Sequence, residues 1–385
     1  MLTINTKELA KALRLLKSGL PGKCTLPVLL DVQITCGIDG TTLTTNDLTT
    51  LTELRLTTGD DNGEDWQRAV PCKELLEVVA KAGKTDTVTL TPFNAVDLKV
   101  TVGAVTRLIY GHAMEELPVG PTLTDETSRT CYGAAYFADA VKRAATASGT
   151  DWTRQVLVSV LLDIEKDGAT KCVATDTHRL HLIPVMGVTT ATKETKVLIK
   201  SENVNRIMAA LSYANEWEVA LTLGNNNHLK VPLAKVEAGY VTLLFTPSDD
   251  IYPAWQRVIP EGKGRIGVLV NAEEAATLAL ACVNKEHVNV NMALQRDTPT
   301  CAAGGPGTGT SVDIPIAAYA GDDWPSTYIV SVNGNYLAAA LRAVKGDRAW
   351  LYFDTDVLHY APVLVLPEYE DGSVAVVMPM CKDAS

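Results

Sequence analysis

TKELAKALRLLKS, residues 6–18, places Leu9, Ala10, Leu13 and Leu16 on one helical face and Lys7, Lys11 and Arg14 on the other. The segment predicts an amphipathic helix with a basic outer stripe. Five more segments have the same period: Pro71–Ala82, Tyr136–Ser148, Lys200–Ala214, Asn271–Asn284 and Asn333–Lys345. They fall into pairs. Within pairs the starts lie 65, 64 and 62 residues apart, and the first helices of successive pairs start 130 and 135 residues apart. Such regular spacing marks a tandem structural repeat with three copies. The segments between are rich in Thr and Val and alternate with period two, as in DVQITCGIDGTTLTT (31–45), DTVTLTPFNAVDLKVTV (86–102), EVALTLGNNNHLKVPLAKV (218–236) and TYIVSV (327–332). Alternation broken by Asn, Gly and Asp turns predicts antiparallel strands. The expected class is α+β, each repeat running helix, strands, helix, strands.

Proline-rich connectors divide the repeats. Glu116-Leu117-Pro118-Val119-Gly120-Pro121 breaks regular structure before the second, and Pro247, Pro253 and Pro260 do so before the third. The expected domains are 1–120, 121–248 and 249–385. Thr298–Thr310 (TPTCAAGGPGTGT) is expected to be a flexible surface excursion inside the third.

Hydrophobic residues make up 46% and charged residues 21%, enough apolar mass for several cores. The charged helix at residues 6–18 is unlike the apolar centre of a secretory signal, and no stretch approaches the roughly 18 apolar residues of a membrane span. A cytoplasmic location without membrane contact is expected. The eight cysteines are scattered, with no C-x-x-C pair and no Cys/His cluster at zinc spacing, so reduced and mostly buried thiols are expected. No metal or cofactor is implied.

A net charge of −11 argues against a nucleic-acid partner only if the charge is evenly spread. It is not. Lys7, Lys11 and Arg14 lie on the first helix, Lys73 and Lys81 on or beside the second, and Lys142 and Arg143 on the third. Arg206 lies on the fourth, Arg342 and Lys345 on the sixth; the fifth opens instead on Glu273 and Glu274. Repeated basic helices predict one surface that contacts DNA phosphates without reading bases, in a salt-sensitive manner. Catalytic patterns are missing. Asp176, His178, Ser159 and Ser212 have no G-x-S-x-G elbow among them, Gly304–Thr310 lacks the lysine of a phosphate loop, and His178-x-x-His181 has no third ligand. A non-enzymatic protein is expected.

Ordered motifs then resemble one family. Gly22-Lys23-Cys24-Thr25-Leu26-Pro27-Val28-Leu29 is similar to G-R-x-T-L-P-I-L, and Thr45-Asn46-Asp47-Leu48 to T-x-D-L. Ala174-Thr175-Asp176-Thr177-His178-Arg179-Leu180 is similar to A-T-D-G-H-R-L, and Tyr252–Pro260 (YPAWQRVIP) to F-P-D-Y-x-R-V-I-P. Val377-Met378-Pro379-Met380 matches a terminal V-M-P-M. Together these resemble the DNA polymerase III beta subunit, the bacterial sliding clamp.

The resemblance implies three tandem domains of the DNA-clamp fold, each two helices on antiparallel sheets, and a homodimer closed head to tail into a ring. It implies a processivity factor that encircles double-stranded DNA and tethers polymerase and clamp-loader subunits through short hydrophobic peptides. A groove for those peptides is implied at Leu157, Thr175, Thr177, His178, Arg179, Leu180, Pro253, Arg257, Val258, Val376, Met378, Pro379 and Met380. Lys23 joins the DNA-contacting set, and Leu108, Tyr110, Ala281 and Cys282 are implied at the dimer contact. Thr177 departs from the family's glycine, and Lys23 keeps the charge of its arginine but loses the planar fork. The alternative is a non-clamp DNA-binding scaffold, which would be held on linear and circular DNA alike.

Overall fold

The computed structural model describes all residues except 23, 58, 60–64, 82–86, 192, 228–230, 261–265, 296–300, 305–308, 323, 356–360 and 381–385. Among the described residues six α-helices form, at Thr6–Ser18 (α1), Cys72–Ala80 (α2), Ala134–Ala145 (α3), Ser201–Ala214 (α4), Ala272–Ala281 (α5) and Gly334–Ala343 (α6). Each falls on one of the six periodic segments. Three of them start the same way. Asn5, Asn271 and Asn333 each end a strand and turn a side-chain oxygen onto the first free N–H groups of α1, α5 and α6.

The chain forms two compact units, one of Met1–Ala138, Gly187–Lys193 and Asn205–Pro247, the other of Asp139–Met186, Glu194–Val204 and Ser248–Ser385. In the first unit a nine-stranded antiparallel sheet runs in the order 188–191, 123–133, 218–226, 232–238, 241–245, 50–55, 40–46, 31–37, 66–71. Gly40–Asn46 shows why its sequence alternates: Thr41, Leu43 and Thr45 point inward while their neighbours are only half buried. A four-stranded sheet begins with Leu2–Asn5 and ends on the edge strand Val105–Ile109. Leu9, Leu13 and Leu16 of α1 and Leu75 and Val79 of α2 are buried with Val32, Ile34, Leu43, Leu54 and Val88.

The second unit repeats the scheme. Its nine-stranded sheet runs 195–200, 159–164, 170–175, 179–185, 374–377, 363–367, 348–353, 266–271, 316–320, and its four-stranded sheet contains Cys301–Gly304. In both large sheets the central pairing joins strands distant in sequence: Phe245 opposite Thr50, and Val377 opposite Arg179. The flexible excursion expected at 298–310 is therefore not what forms at its described centre. Cys301–Gly304 pairs with strands on both sides, and the buried Ala303 carbonyl accepts from Cys282 Sγ. The small Ala303 side chain fits there because the core closes over it. Residues 298–300 and 305–308 lie outside the described set.

Cys36, Cys72, Cys131, Cys172 and Cys282 are buried free thiols and Cys24 is half-buried and free, as the scattered spacing implies. Burial also shapes one histidine. His181 is fully buried on strand Arg179–Val185, its Nδ1 3.0 Å from Thr146 Oγ1 and 3.3 Å from the Arg143 carbonyl. Burial first, then the charges of Arg179 and Arg143, holds its pKa down at about 3. The unfolded chain takes up this proton near the ordinary value of 6.5, whereas the folded chain refuses it until about 3. Stability should therefore fall as pH drops below 6.5, by about 1.4 kcal/mol per pH unit. Urea unfolding at pH 7 and pH 5 should show this loss in the wild type and a smaller one in His181→Gln. Identical pH slopes would remove His181 as the cause.

Candidate functional site

The turn between strands Thr170–Thr175 and Arg179–Val185 is tied by its own side chains. Asp176 Oδ1 accepts the N–H of His178 at 2.9 Å and of Arg179 at 3.0 Å, and Oδ2 accepts Arg179 Nε at 2.9 Å. Thr175 Oγ1 accepts the Thr177 N–H at 3.2 Å and donates to the Arg179 carbonyl at 2.6 Å. This bonding bends the backbone sharply, and Thr177 sits at φ 79°, a left-handed value that suits glycine. The same device occurs in the first repeat. Asp47 Oδ1 accepts the N–H of Thr49 at 3.0 Å and of Thr50 at 2.7 Å, and Leu48 has φ 78°.

A cleft of about 460 Å³ opens beside the 175–179 turn, lined by Ser148–Asp151, Arg154, Leu157, Asp176–Arg179 and Tyr336. Tyr336, third residue of α6, has the Arg179 guanidinium 4.3 Å from its ring centroid and the His178 ring stacked at 6.5 Å. Burial, and then the nearby Asp176 carboxylate, raises the Tyr336 phenol pKa, so the hydroxyl stays protonated. The Asn333 cap on α6 orients this first turn.

The C-terminal motif lies alongside. Strand Val374–Val377 pairs with Arg179–Val185, the Met378 N–H donates to the His178 carbonyl at 2.8 Å, and the Met380 N–H donates to the Ser331 carbonyl at 2.8 Å. Pro379 bridges to Val332. Met378, Pro379 and Met380 are each half-buried, leaving apolar surface next to the turn.

Tertiary structure thus sorts the expected groove residues. Leu157, Thr177, His178 and Arg179 line one cleft, with Thr175 hydrogen-bonded beneath and Met378 joined through the His178 backbone. Leu180 and Val376 correct the expectation: they are fully buried in one core cluster with Trp255 and line neither cleft, because their strand positions face the interior. Pro253 lines a separate cleft with Leu161, Lys196, Leu198 and Trp255. Arg257 and Val258 are exposed on the short 3-10 helix Trp255–Val258 and do not line the Tyr336 cleft. Tyr336, Arg154 and Ser148–Asp151 were not expected. Tyr336 carries no motif, and its helix is legible only as another amphipathic segment.

The basic set divides as well. Lys7, Lys11, Arg14, Lys73, Lys81, Lys142 and Lys345 are exposed. Lys11 also donates to the Tyr213 carbonyl at 3.1 Å, with its ammonium 4.5 Å from that ring's centroid. Arg143 turns inward: Nε donates to the Ala343 carbonyl at 2.6 Å, Nη1 to Asp139 at 3.0 Å and Nη2 to Ser373 Oγ at 3.1 Å. Arg206 pairs with Asp47 at 2.7 Å, and both side chains are about nine-tenths buried (11% and 9% exposed). These two corrections have one cause. Their guanidinium groups complete buried acceptors and cannot also reach a phosphate. Arg342 is exposed but bidentate on Glu273, at 2.9 and 2.5 Å. Lys23 lies outside the described residues.

At the expected dimer contact, Tyr110 is exposed, Leu108 half-buried and Ala281 exposed. Cys282 corrects the expectation. It is fully buried, its Sγ 3.2 Å from the Ala303 carbonyl, because the residue after α5 closes onto the adjacent sheet.

No group of three or more His, Cys, Asp or Glu among the described residues could hold a metal ion, and no described helix is long and apolar enough to cross a membrane. Asp176 is spent on capping its turn, and Ser159 is fully buried. The cleft offers an aromatic face, cationic edges and an apolar flank, which suits binding an extended peptide.

Residues 133–239 match the family model for the central domain of the DNA polymerase III beta subunit. The chain is similar to the beta sliding clamp of Rickettsia bellii, 23% identical over 339 residues that cover 82% of this chain and 83% of that protein. Its fold is similar to the DNA polymerase III subunit beta of Pseudomonas aeruginosa, with TM-score 0.84, 20% identity and coverage of 99% and 100% of the two chains. It is likewise similar to the DNA polymerase beta subunit of Streptococcus pyogenes, with TM-score 0.85, 16% identity and coverage of 99% and 100%.

Proposed function

We propose that this chain is a divergent member of the DNA polymerase III beta-subunit family and works as a sliding clamp, a non-enzymatic processivity factor in the cytoplasm. Two copies close head to tail into a ring, each contributing the domains 1–120, 121–248 and 249–385. The ring encircles duplex DNA without sequence preference and tethers polymerase and clamp-loader subunits by short hydrophobic peptides.

The observation that carries this reading is the Tyr336 cleft. Two motifs nearly 200 residues apart meet there through the Met378–His178 backbone bond, beside an aromatic and an arginine that nothing in catalysis requires. The peptide contacts are then Leu157, Thr177, His178, Arg179, Met378 and Met380, with Leu180 and Val376 buried in the core behind them. Pro253, Arg257 and Val258 would serve only a peptide long enough to leave the cleft. Duplex contact falls to the exposed Lys7, Lys11, Arg14, Lys73, Lys81, Lys142 and Lys345, and to Lys23. The edge strand Val105–Ile109, with Leu108 and the exposed Tyr110 beside it, offers free backbone groups for pairing across the dimer, opposite Ala281.

The test is topological. A dimer of twice the 41.3 kDa chain mass should be retained on closed circular DNA after loading and should slide off once the circle is cut. Equal retention on both forms would favour a DNA-binding scaffold, and a persistent monomer would count against the ring.

A further inference from the structure

We propose that Thr177 sets the peptide selectivity of the cleft: held over its mouth, the side chain admits peptides that are small where they cross the 175–179 turn and excludes bulky ones. The proposal rests on the cleft being the peptide site described above.

Four observations carry it. Thr177 is exposed and lines the same cleft as Leu157, His178, Arg179 and Tyr336. Its φ of 79° is one that a β-branched residue rarely adopts and that glycine takes without strain. The turn imposes this conformation whatever residue fills it, because Leu48 has φ 78° in the equivalent turn built on Asp47. A branched side chain at this point is therefore a departure from what the backbone favours. Finally, the backbone that carries the side chain is held in place. The Thr177 N–H is held by Thr175 Oγ1, and the next two N–H groups by Asp176. Among the described residues its hydroxyl has no protein partner, so neither methyl nor hydroxyl serves the turn that holds them. What they face is the cleft.

Selection by such a group is steric. A glycine there would leave the mouth open to any residue, whereas the threonine branches remove space that a large peptide side chain needs. The effect should be local to one peptide position, because Thr177 is one point on the rim.

The test uses the full-length protein and a fluorescein-labelled hydrophobic hexapeptide series, with glycine or tryptophan placed at each position in turn. Wild type should prefer glycine over tryptophan at one position by about tenfold or more. Thr177→Gly should abolish that preference and leave the others unchanged, and Thr177→Ser should fall between. The melting midpoint of Thr177→Gly should rise, since the strained turn is relieved. Unchanged preferences with binding intact, or a lower midpoint, would overturn the role of Thr177 and leave the cleft standing as the peptide site. If no peptide in the series binds wild type or variant, the cleft assignment itself fails and the proposal with it.

Discussion

Replacing Met378 and Met380 together with alanine should weaken binding of a polymerase-derived peptide by about 30- to 100-fold, corresponding to roughly 2–3 kcal/mol. Both residues are half-buried, so each keeps apolar surface free for a ligand, and burying a whole methionine side chain is worth about 1.5–3 kcal/mol. Two partly buried ones give the stated sum. Methionine suits the task because its unbranched thioether repacks around different peptides at little cost. Backbone pairing should survive, since the bonds from Met378 and Met380 to His178 and Ser331 are made by main-chain N–H groups that alanine keeps. Fluorescence polarisation measures the affinity, and solution mass checks that the variant keeps the oligomeric state of the wild type. Equal affinity for variant and wild type would remove the C-terminal motif from the groove.

Arg206→Ala should destabilise the protein by about 3–5 kcal/mol, the usual cost of leaving one buried partner of an ion pair uncompensated. The Asp47 side chain is only 9% exposed, and Arg206 supplies its charged partner at 2.7 Å. The same carboxylate holds the turn around Leu48, so its loss of balance should loosen that turn as well. A matched experiment separates this from a DNA contact. Lys7→Ala with Lys11→Ala should weaken affinity for a linear duplex at low salt, with a shallower salt dependence than wild type, and leave the unfolding midpoint nearly unchanged. Arg206→Ala should do the reverse at low temperature. If Arg206→Ala weakened affinity for the linear duplex at full stability, the side chain would be a phosphate contact after all. The companion variant Asp47→Asn should also destabilise, because it leaves the buried Arg206 charge without its carboxylate while keeping an oxygen for the N–H groups of the turn.

The fold was largely readable before any coordinates. Helix α1 occupies the residues its period predicted, and the other five differ only at their ends, where fraying and caps rather than periodicity decide. The Asp176 turn was not readable: Thr175–Arg179 was legible only as a motif, and the capping of its N–H groups by Asp176 came from the structure. What could not be read was the sheet pairing. Phe245 opposite Thr50 and Val377 opposite Arg179 are backbone contacts across long sequence gaps, and side-chain alternation does not say which edge a strand will meet.

The cleft shows the same limit more sharply. Thr177, His178 and Arg179 were legible as a motif, and Met378 and Met380 as another. Tyr336 was not, since it stands alone on a helix that read only as one of the basic, DNA-facing set. Arg143 and Arg206 show the opposite error. Charge at a helical position identifies a cation but not its partner, and here the nearest acceptors lay within the protein. The sequence by itself determined the periodic helices and alternating strands, because these depend on neighbours a few residues away. Only tertiary structure decided which charges remained free, which motifs met and where the cleft opened, because those depend on contacts between residues the chain holds far apart.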